Sequence, residues 1–319
     1  MVRAFLIGAG ATRAQYDTAP LNSDFFMKLD SSLPHIYNKI TKDIKKYIGE
    51  IPLSTTNIEK VMQLSDSFPS SIKNSFMQLI HVSIYELIAD STNSTSSAIS
   101  DALNEKSRQI PTLFNTLLND TRLNDEDFFL TLNYDLYLDI EVLSHKKFID
   151  YGIRKERVTK SHIPLNFDMR ELSIYHLHGA LNWYLVENRK EELIAIRDYP
   201  IAPSWRRGIP NICLLPPGKK DLNPILNEVW QVSETRLKMA DELIIIGCSL
   251  NQDDLELNDL IGKFVKIKGA SKVKIICNEN DHVSIENYNK TIGTGYKIHP
   301  YGFNLVEVNG QNSIEFIFS

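Results

Sequence analysis

VRAFLIGAGAT, residues 2–12, is the stretch from which the rest of the chain is read. Its apolar run, residues 4–7, stops abruptly at Gly8-Ala9-Gly10. An unbroken apolar run closed by glycine has the form of a strand buried on both faces, as in a parallel sheet. Two glycines directly after it allow a tight turn and a close approach of backbone N–H groups to an anion such as a dinucleotide pyrophosphate. Thr12 then serves as a helix N-cap or offers its hydroxyl to a ligand. The third glycine of a G-x-G-x-x-G turn is replaced by Arg13, so an ordinary strand–helix turn is the alternative to a phosphate cradle.

Working outward, four more segments repeat the pattern of an apolar run with polar residues or glycine at its carboxyl end. Residues 127–133 (DFFLTLN) lead into Tyr134-Asp135, and residues 172–177 (LSIYHL) lead into His178-Gly179-Ala180. Residues 242–246 (ELIII) end in Gly247-Cys248-Ser249-Leu250, and residues 272–277 (KVKIIC) end in Asn278. A shorter run, residues 211–215 (NICLL), ends in Pro216-Pro217-Gly218. Helices are expected between them, at LYLDIEVL (136–143) and from Pro224 to Ala240. Strands separated by helices give an α/β fold with a Rossmann-like, doubly wound, mainly parallel sheet. In such sheets ligands bind at the carboxyl ends of the strands. Asn133 and Asp135 therefore stand where a ligand would, or else cap the following helix. His176 and His178 share one face if the strand continues through both, but no third ligand has metal-site spacing.

Between the first two strands lies a helical insertion at about residues 22–119. Residues 36–48 and 70–89 carry apolar residues at helical spacing, the second with Ser70 or Ser71 as cap. A serine-rich loop (90–97), a further helix near 98–108 and a break at Pro111 follow. This insertion is a packed support for the fold, or a lid or oligomer surface. The tail, residues 297–319, alternates around Asn309-Gly310 and is expected to be a hairpin at the sheet edge. The whole chain, 1–319, is taken as one domain.

Bulk properties narrow the function. With 43% hydrophobic and 24% charged residues the chain can bury a sizeable core. Lys+Arg 35 against Asp+Glu 40 gives a charge of −5, which argues against nonspecific nucleic-acid binding. No apolar run approaches a membrane span, and the N-terminus lacks the form of a signal peptide. Cys213, Cys248 and Cys277 form no C-x-x-C pair, so neither a zinc ribbon nor a disulfide framework is indicated, and a reducing cytoplasm is the expected compartment.

Taken in order, the strand ends Gly8-Ala9-Gly10-Ala11-Thr12, Thr131-Leu132-Asn133-Tyr134-Asp135, His176-Leu177-His178-Gly179 and Gly247-Cys248-Ser249-Leu250 resemble those of the sirtuin superfamily. They are most similar to the bacterial sirtuin-like NAD hydrolases of anti-phage defence. The resemblance covers residues 2–12, 127–140, 172–183 and 212–280, and not the helical insertion. It implies that Gly8, Ala9, Gly10 and Thr12 line the pyrophosphate and ribose side of NAD+. It implies that Asn133 orients the attacking water or the ribose, that Asp135 holds the nicotinamide amide, and that His178 is the catalytic histidine. Gly247, Ser249 and Asn278 would contact the adenosine half.

The resemblance further implies an NAD+ glycohydrolase that exhausts NAD+ during infection, held in check by homo-oligomer assembly, a nucleotide signal or a HerA-type ATPase partner. Sirtuin deacylases carry four zinc-binding cysteines and an Asp-Phe-Arg sequence after a proline. Here no such cysteine set exists, Pro20 is followed by Leu21-Asn22-Ser23, and Thr12 replaces the usual serine. These departures favour plain hydrolysis over acyl-lysine chemistry. A module that binds NAD or ADP-ribose without turnover is the other reading. No metal is implied, because the cationic nicotinamide departs neutral.

Overall fold

The computed structural model describes residues 1–15, 21, 24–53, 56, 58–91, 113–145, 147–153, 158–159, 171–180, 183–185, 193–196, 209–210, 224–278, 281–300 and 315–319. Its strands, in chain order, are β1 (Arg3–Ile7), β2 (Phe128–Thr131), β3 (Phe148–Asp150), β4 (Val158–Thr159), β5 (Glu171–His176) and β6 (Trp183–Leu185). They continue with β7 (Leu193–Ile196), β8 (Ile209–Pro210), β9 (Glu242–Ile246), β10 (Val273–Cys277) and β11 (Lys297–Pro300). The helices are α1 (Ala9–Gln15), α2 (Phe25–Ser32), α3 (Pro34–Tyr47), α4 (Ile58–Leu64), α5 (Ser70–Ser91) and α6 (Leu113–Asn119). After them come α7 (Tyr137–Ser144), α8 (Pro224–Met239), α9 (Leu255–Lys268) and α10 (His282–Ile292).

The main sheet has the order β11-β10-β9-β1-β2-β5-β3, and every pairing in it is parallel. This is the Rossmann-like, doubly wound arrangement. β1 is central, with Ala4 to Ile7 opposite Phe128 to Thr131 on one side and Arg3 to Ile7 opposite Glu242 to Ile246 on the other. Every residue of β2, β9 and β10 is buried, as strands covered on both faces require. Phe5 and Phe129 stack across the β1–β2 pair with ring centroids 4.9 Å apart. After β1 the chain builds outward on the β2 side; it later returns to build outward from β9. The winding therefore reverses between β1 and β9, the point at whose carboxyl edge sheets of this kind have their ligand-binding crevice.

The helical insertion packs against this sheet. α3 buries Ile36, Ile40 and Ile44 at four-residue spacing, and α2 buries Phe25, Phe26 and Leu29. α5 adds Phe76, Ile80, Ile84 and Leu87, and all of them belong to one apolar cluster with the sheet residues.

At the ends of the tail, β11 pairs parallel with β10, and residues 315–318 form a helical turn; the expected hairpin arms between them lie outside the described residues. Lys274, buried in β10, anchors that turn by donating to the carbonyls of Ile317 and Ser319. The strand β3 and the four-stranded sheet β4-β7-β6-β8 were not anticipated. The serine-rich loop beyond Ser91, the helix near 98–108, Pro111, the run at 211–215 and the Asn309-Gly310 bend lie outside the described residues. Among the described residues no helix is long and apolar enough to cross a membrane.

Candidate active site

The crevice begins as an interlock of two backbone turns. The Gly8 N–H donates to the Ile246 carbonyl, and the Gly10 N–H donates to the Gly247 carbonyl at 2.9 Å. A Cβ on Gly8 would lie 2.5 Å from Cys248 Cα, and one on Gly10 2.7 Å from the Gly247 oxygen. Gly247 has φ +58, and a Cβ there would lie 2.1 Å from the Ala11 nitrogen. The glycines are thus required by the close approach of the β1 and β9 ends. The N–H groups of Gly8 and Gly10, expected to face a pyrophosphate, already have protein acceptors. Ala9 opens α1.

Thr12 lies inside α1 rather than at its cap, because the helix starts at Ala9. Its buried hydroxyl accepts from Asn133 Nδ2 at 2.9 Å and donates to Asp135 Oδ2 at 3.1 Å. Asn133 Nδ2 also donates to the Gly8 carbonyl at 3.1 Å. A carbonyl only accepts, so the amide orientation is fixed with nitrogen toward Gly8. Both amide hydrogens are taken. Asn133 Oδ1 points the other way, is buried, and has no hydrogen-bond partner among the described residues. An unpartnered buried acceptor is costly to keep and marks a place where a donor is received.

Asp135 completes the relay. Its Oδ1 accepts from the Tyr137 N–H at 3.2 Å, so it supports the start of α7 as well as Thr12. Part of the residue reaches solvent, but its carboxyl is packed in protein, and burial pushes it up to about 6 despite the Tyr137 and Thr12 donors. In the unfolded chain it titrates near 3.9. The folded state then holds this proton more tightly, so the contribution is fully present below about pH 4 and is lost as pH rises toward 6. A shift of about two units corresponds to roughly 3 kcal/mol. Urea unfolding of wild type and Asp135→Asn at pH 4 and pH 7 should therefore show wild type losing about 2–3 kcal/mol relative to the variant on going to pH 7. A gap independent of pH would contradict the buried-carboxyl assignment.

The histidines separate. β5 ends at His176, and the Gly179 N–H returns to the His176 carbonyl in a turn where Gly179 has φ +82. His178 therefore sits in the turn, not on the strand face with His176. Its Nε2 lies 3.2 Å from Asp254 Oδ2, and its ring is 6.4 Å from that of Tyr134. Asp254 caps α9, accepting from the Leu257 N–H through Oδ1. Between it and β9, Leu250 is buried at φ +47, the one non-glycine residue with positive φ among the described residues. Strain of this kind is held by its surroundings and gathers at functional loops. The His178–Asp254 contact joins the β5 end to the loop after β9, across the ends of β1 and β2 that lie between them in the sheet.

The structure thus brings Gly8, Gly10, Thr12, Asn133, Asp135 and Gly247 into one connected cluster and places His178 at the same sheet edge. Ser249 and Asn278 follow β9 and β10 at the same sheet edge: the Ser249 carbonyl accepts from Asn287, and the Asn278 carbonyl from the Asp281 N–H. Asp254 and Asp139 were missed by the sequence reading. Asp139 had a signal, an acid within the apolar helix LYLDIEVL; Asp254 had none beyond its place before a helix. Among the described residues no group of three or more His, Cys, Asp or Glu is arranged to hold a metal ion.

No protein-family model matches the chain, and no curated protein does. Solved structures similar to it include a Sir2 homologue in complex with NAD, at 12% identity over 100% of this chain and 91% of that one, with a TM-score of 0.44. Sir2 bound to an acetylated peptide is 13% identical over 98% of this chain and 92% of that one, with a TM-score of 0.43. An ADP-ribose complex of a mutant Sir2 homologue is 12% identical over 100% and 93%, with a TM-score of 0.45.

Proposed function

We propose that the chain is an NAD+ glycohydrolase, which splits NAD+ into nicotinamide and ADP-ribose. The observation that carries this reading is Asn133 Oδ1, a buried acceptor without a partner among the described residues, fixed at the crevice where the sheet reverses its winding. Strand-end motifs resembling those of sirtuin-like NAD hydrolases support it. Gly8, Ala9, Gly10, Thr12, Gly247, Ser249 and Asn278 would lie along the dinucleotide, with Asp135 acting through Thr12.

In this reaction water adds to the ribose anomeric carbon, and the bond to the nicotinamide nitrogen breaks with its electron pair. The pyridinium leaves neutral, and the transition state has oxocarbenium character, as in other glycoside hydrolyses. Asn133 Oδ1 accepts a hydrogen from the water or from a ribose hydroxyl, holding it in place. His178 takes the proton that water releases. The Asp254 carboxylate, 3.2 Å from Nε2, would stabilise the imidazolium that forms when His178 takes this proton.

The same proposal extends to biology: an effector of anti-phage defence in the cytoplasm that depletes NAD+, restrained by self-assembly or by a HerA-type ATPase. Free nicotinamide is measured after incubating the purified protein with NAD+, alone and with the product of its neighbouring gene. Release is expected, and His178→Ala should lower it by about 10²–10⁴-fold. NAD+ bound but intact under both conditions would replace this reading with a binding module. Release that requires an acyl-peptide would replace it with a deacylase.

A further inference from the structure

Behind Asn133 lies a second polar cluster that the hydrolysis just described does not use. His176 is fully buried at the end of β5, and both of its ring nitrogens face acceptors. Nδ1 is 3.1 Å from the Asn133 carbonyl, and Nε2 is 3.2 Å from both oxygens of Asp139. Asp139 projects from α7 and also accepts from the Tyr151 hydroxyl at 2.8 Å. The Tyr151 and Trp183 rings enclose the imidazole at 5.9 and 5.8 Å.

A neutral imidazole carries one N–H. Opposite a backbone carbonyl and a carboxylate it would leave one nitrogen lone pair against an oxygen lone pair. The arrangement is satisfied when the ring carries both hydrogens. We propose that His176 is held as a buried imidazolium and is a positioning residue, clamping the Asn133 peptide between the β5 end and α7 so that Oδ1 stays aimed into the crevice. The proposal rests on the glycohydrolase reading for its purpose, but not for its geometry.

The charged and titratable groups facing the ring are Asp139 and, farther off, Asp135 from the segment after β2, and Tyr151 from the segment after β3; Trp183 of β6 is neutral. Burial opposes the charged ring, but the Asp139 carboxylate, its hydrogen bond, the Asn133 carbonyl and the charge of Asp135 outweigh it, so the ring keeps its proton above the ordinary histidine value. The clamp is therefore present below that raised value and is lost as pH rises through it.

The test is a pH titration of the full chain by nitrogen NMR, with His176 identified by comparison with His176→Gln. At pH 7, where an ordinary imidazole of pKa about 6.5 is mostly neutral, both ring nitrogens of His176 are expected to be protonated. The backbone amide of Tyr134, whose peptide carbonyl is that of Asn133, should titrate with the same midpoint. Asp139→Asn should lower that midpoint by about one unit or more. A His176 ring in a single neutral tautomer at pH 7, or a Tyr134 amide that ignores its titration, would overturn the proposal using wild type alone. Nicotinamide release should fall with rising pH through the same midpoint, and Asp139→Asn should move that fall to lower pH. Absence of release at every pH would count against the glycohydrolase reading and leave the spectra to decide the clamp.

Discussion

Replacing Asn133 by alanine should lower nicotinamide release at least a hundredfold while the sheet remains folded. The substitution removes the Oδ1 acceptor, and no other side-chain oxygen of the relay is oriented to replace it. Thr12 donates to Asp135, and Asp135 already accepts from Thr12 and Tyr137. Preorganised polar groups of this kind are worth about 10²–10³ in rate when one is deleted. The cost to the fold is modest, roughly 1–3 kcal/mol, because the Gly8 carbonyl still accepts from the Ala11 N–H at 3.0 Å. Thr12→Val, which keeps the shape and removes the hydroxyl, should cost less activity than Asn133→Ala, since the Gly8 carbonyl alone still orients the amide. Purified Asn133→Ala with a native circular dichroism spectrum and nearly full nicotinamide release would refute the assignment.

Gly247→Ala should be the most damaging glycine-to-alanine substitution among the described residues, lowering the free energy of unfolding by about 2–5 kcal/mol. Two effects add. The left-handed conformation at φ +58 costs a residue with a side chain roughly 1–2 kcal/mol. The new methyl would lie 2.1 Å from the Ala11 nitrogen and 2.5 Å from the Gly10 carbonyl carbon, both backbone atoms that cannot swing aside. Relieving that overlap pushes β1 and β9 apart and strains the Gly10-to-Gly247 hydrogen bond, and overpacking of this sort costs about 1–3 kcal/mol. Against a total stability of about 5–15 kcal/mol, much of the fold's margin disappears. Gly262→Ala is the control: a Cβ there meets nothing within 4 Å, and alanine suits the interior of α9. Urea denaturation of both variants checks the contrast; Gly247→Ala within about 1 kcal/mol of wild type would show that the interlock is not rigid.

The central fold was legible because its strands are buried on both faces. β1, β2, β5, β9 and β10 are mainly apolar runs followed by polar residues or glycine, and each was located within a residue or two. α3 and α5 were legible from the spacing of their isoleucines. β3 is three residues long and β4 only two, too short to show any period. The two-histidine face failed because Gly179 turns the chain just after His176, and a turn does not follow the alternation of a strand. At the site, Thr12, Asn133 and Gly247 could be picked out from their places beside strand ends. Their bonding to one another could not, because it joins residues more than a hundred positions apart. Asp254 meets His178 only through the path of the loop after β9. The double engagement of His176 needs Asp139 and the Asn133 carbonyl in three dimensions.

The central position of β1 has a consequence during synthesis. It is made before every other strand of its sheet, yet the neighbour that locks it through Gly247 follows more than two hundred residues later. At translation rates of about 5–20 residues per second, that edge waits on the order of ten to fifty seconds for its partner. A nascent chain stalled before β9 displays an apolar strand with unpaired amides on one side. Fragments ending ahead of Glu242 should therefore depend on chaperones and self-associate, whereas chains extended past the interlock should not.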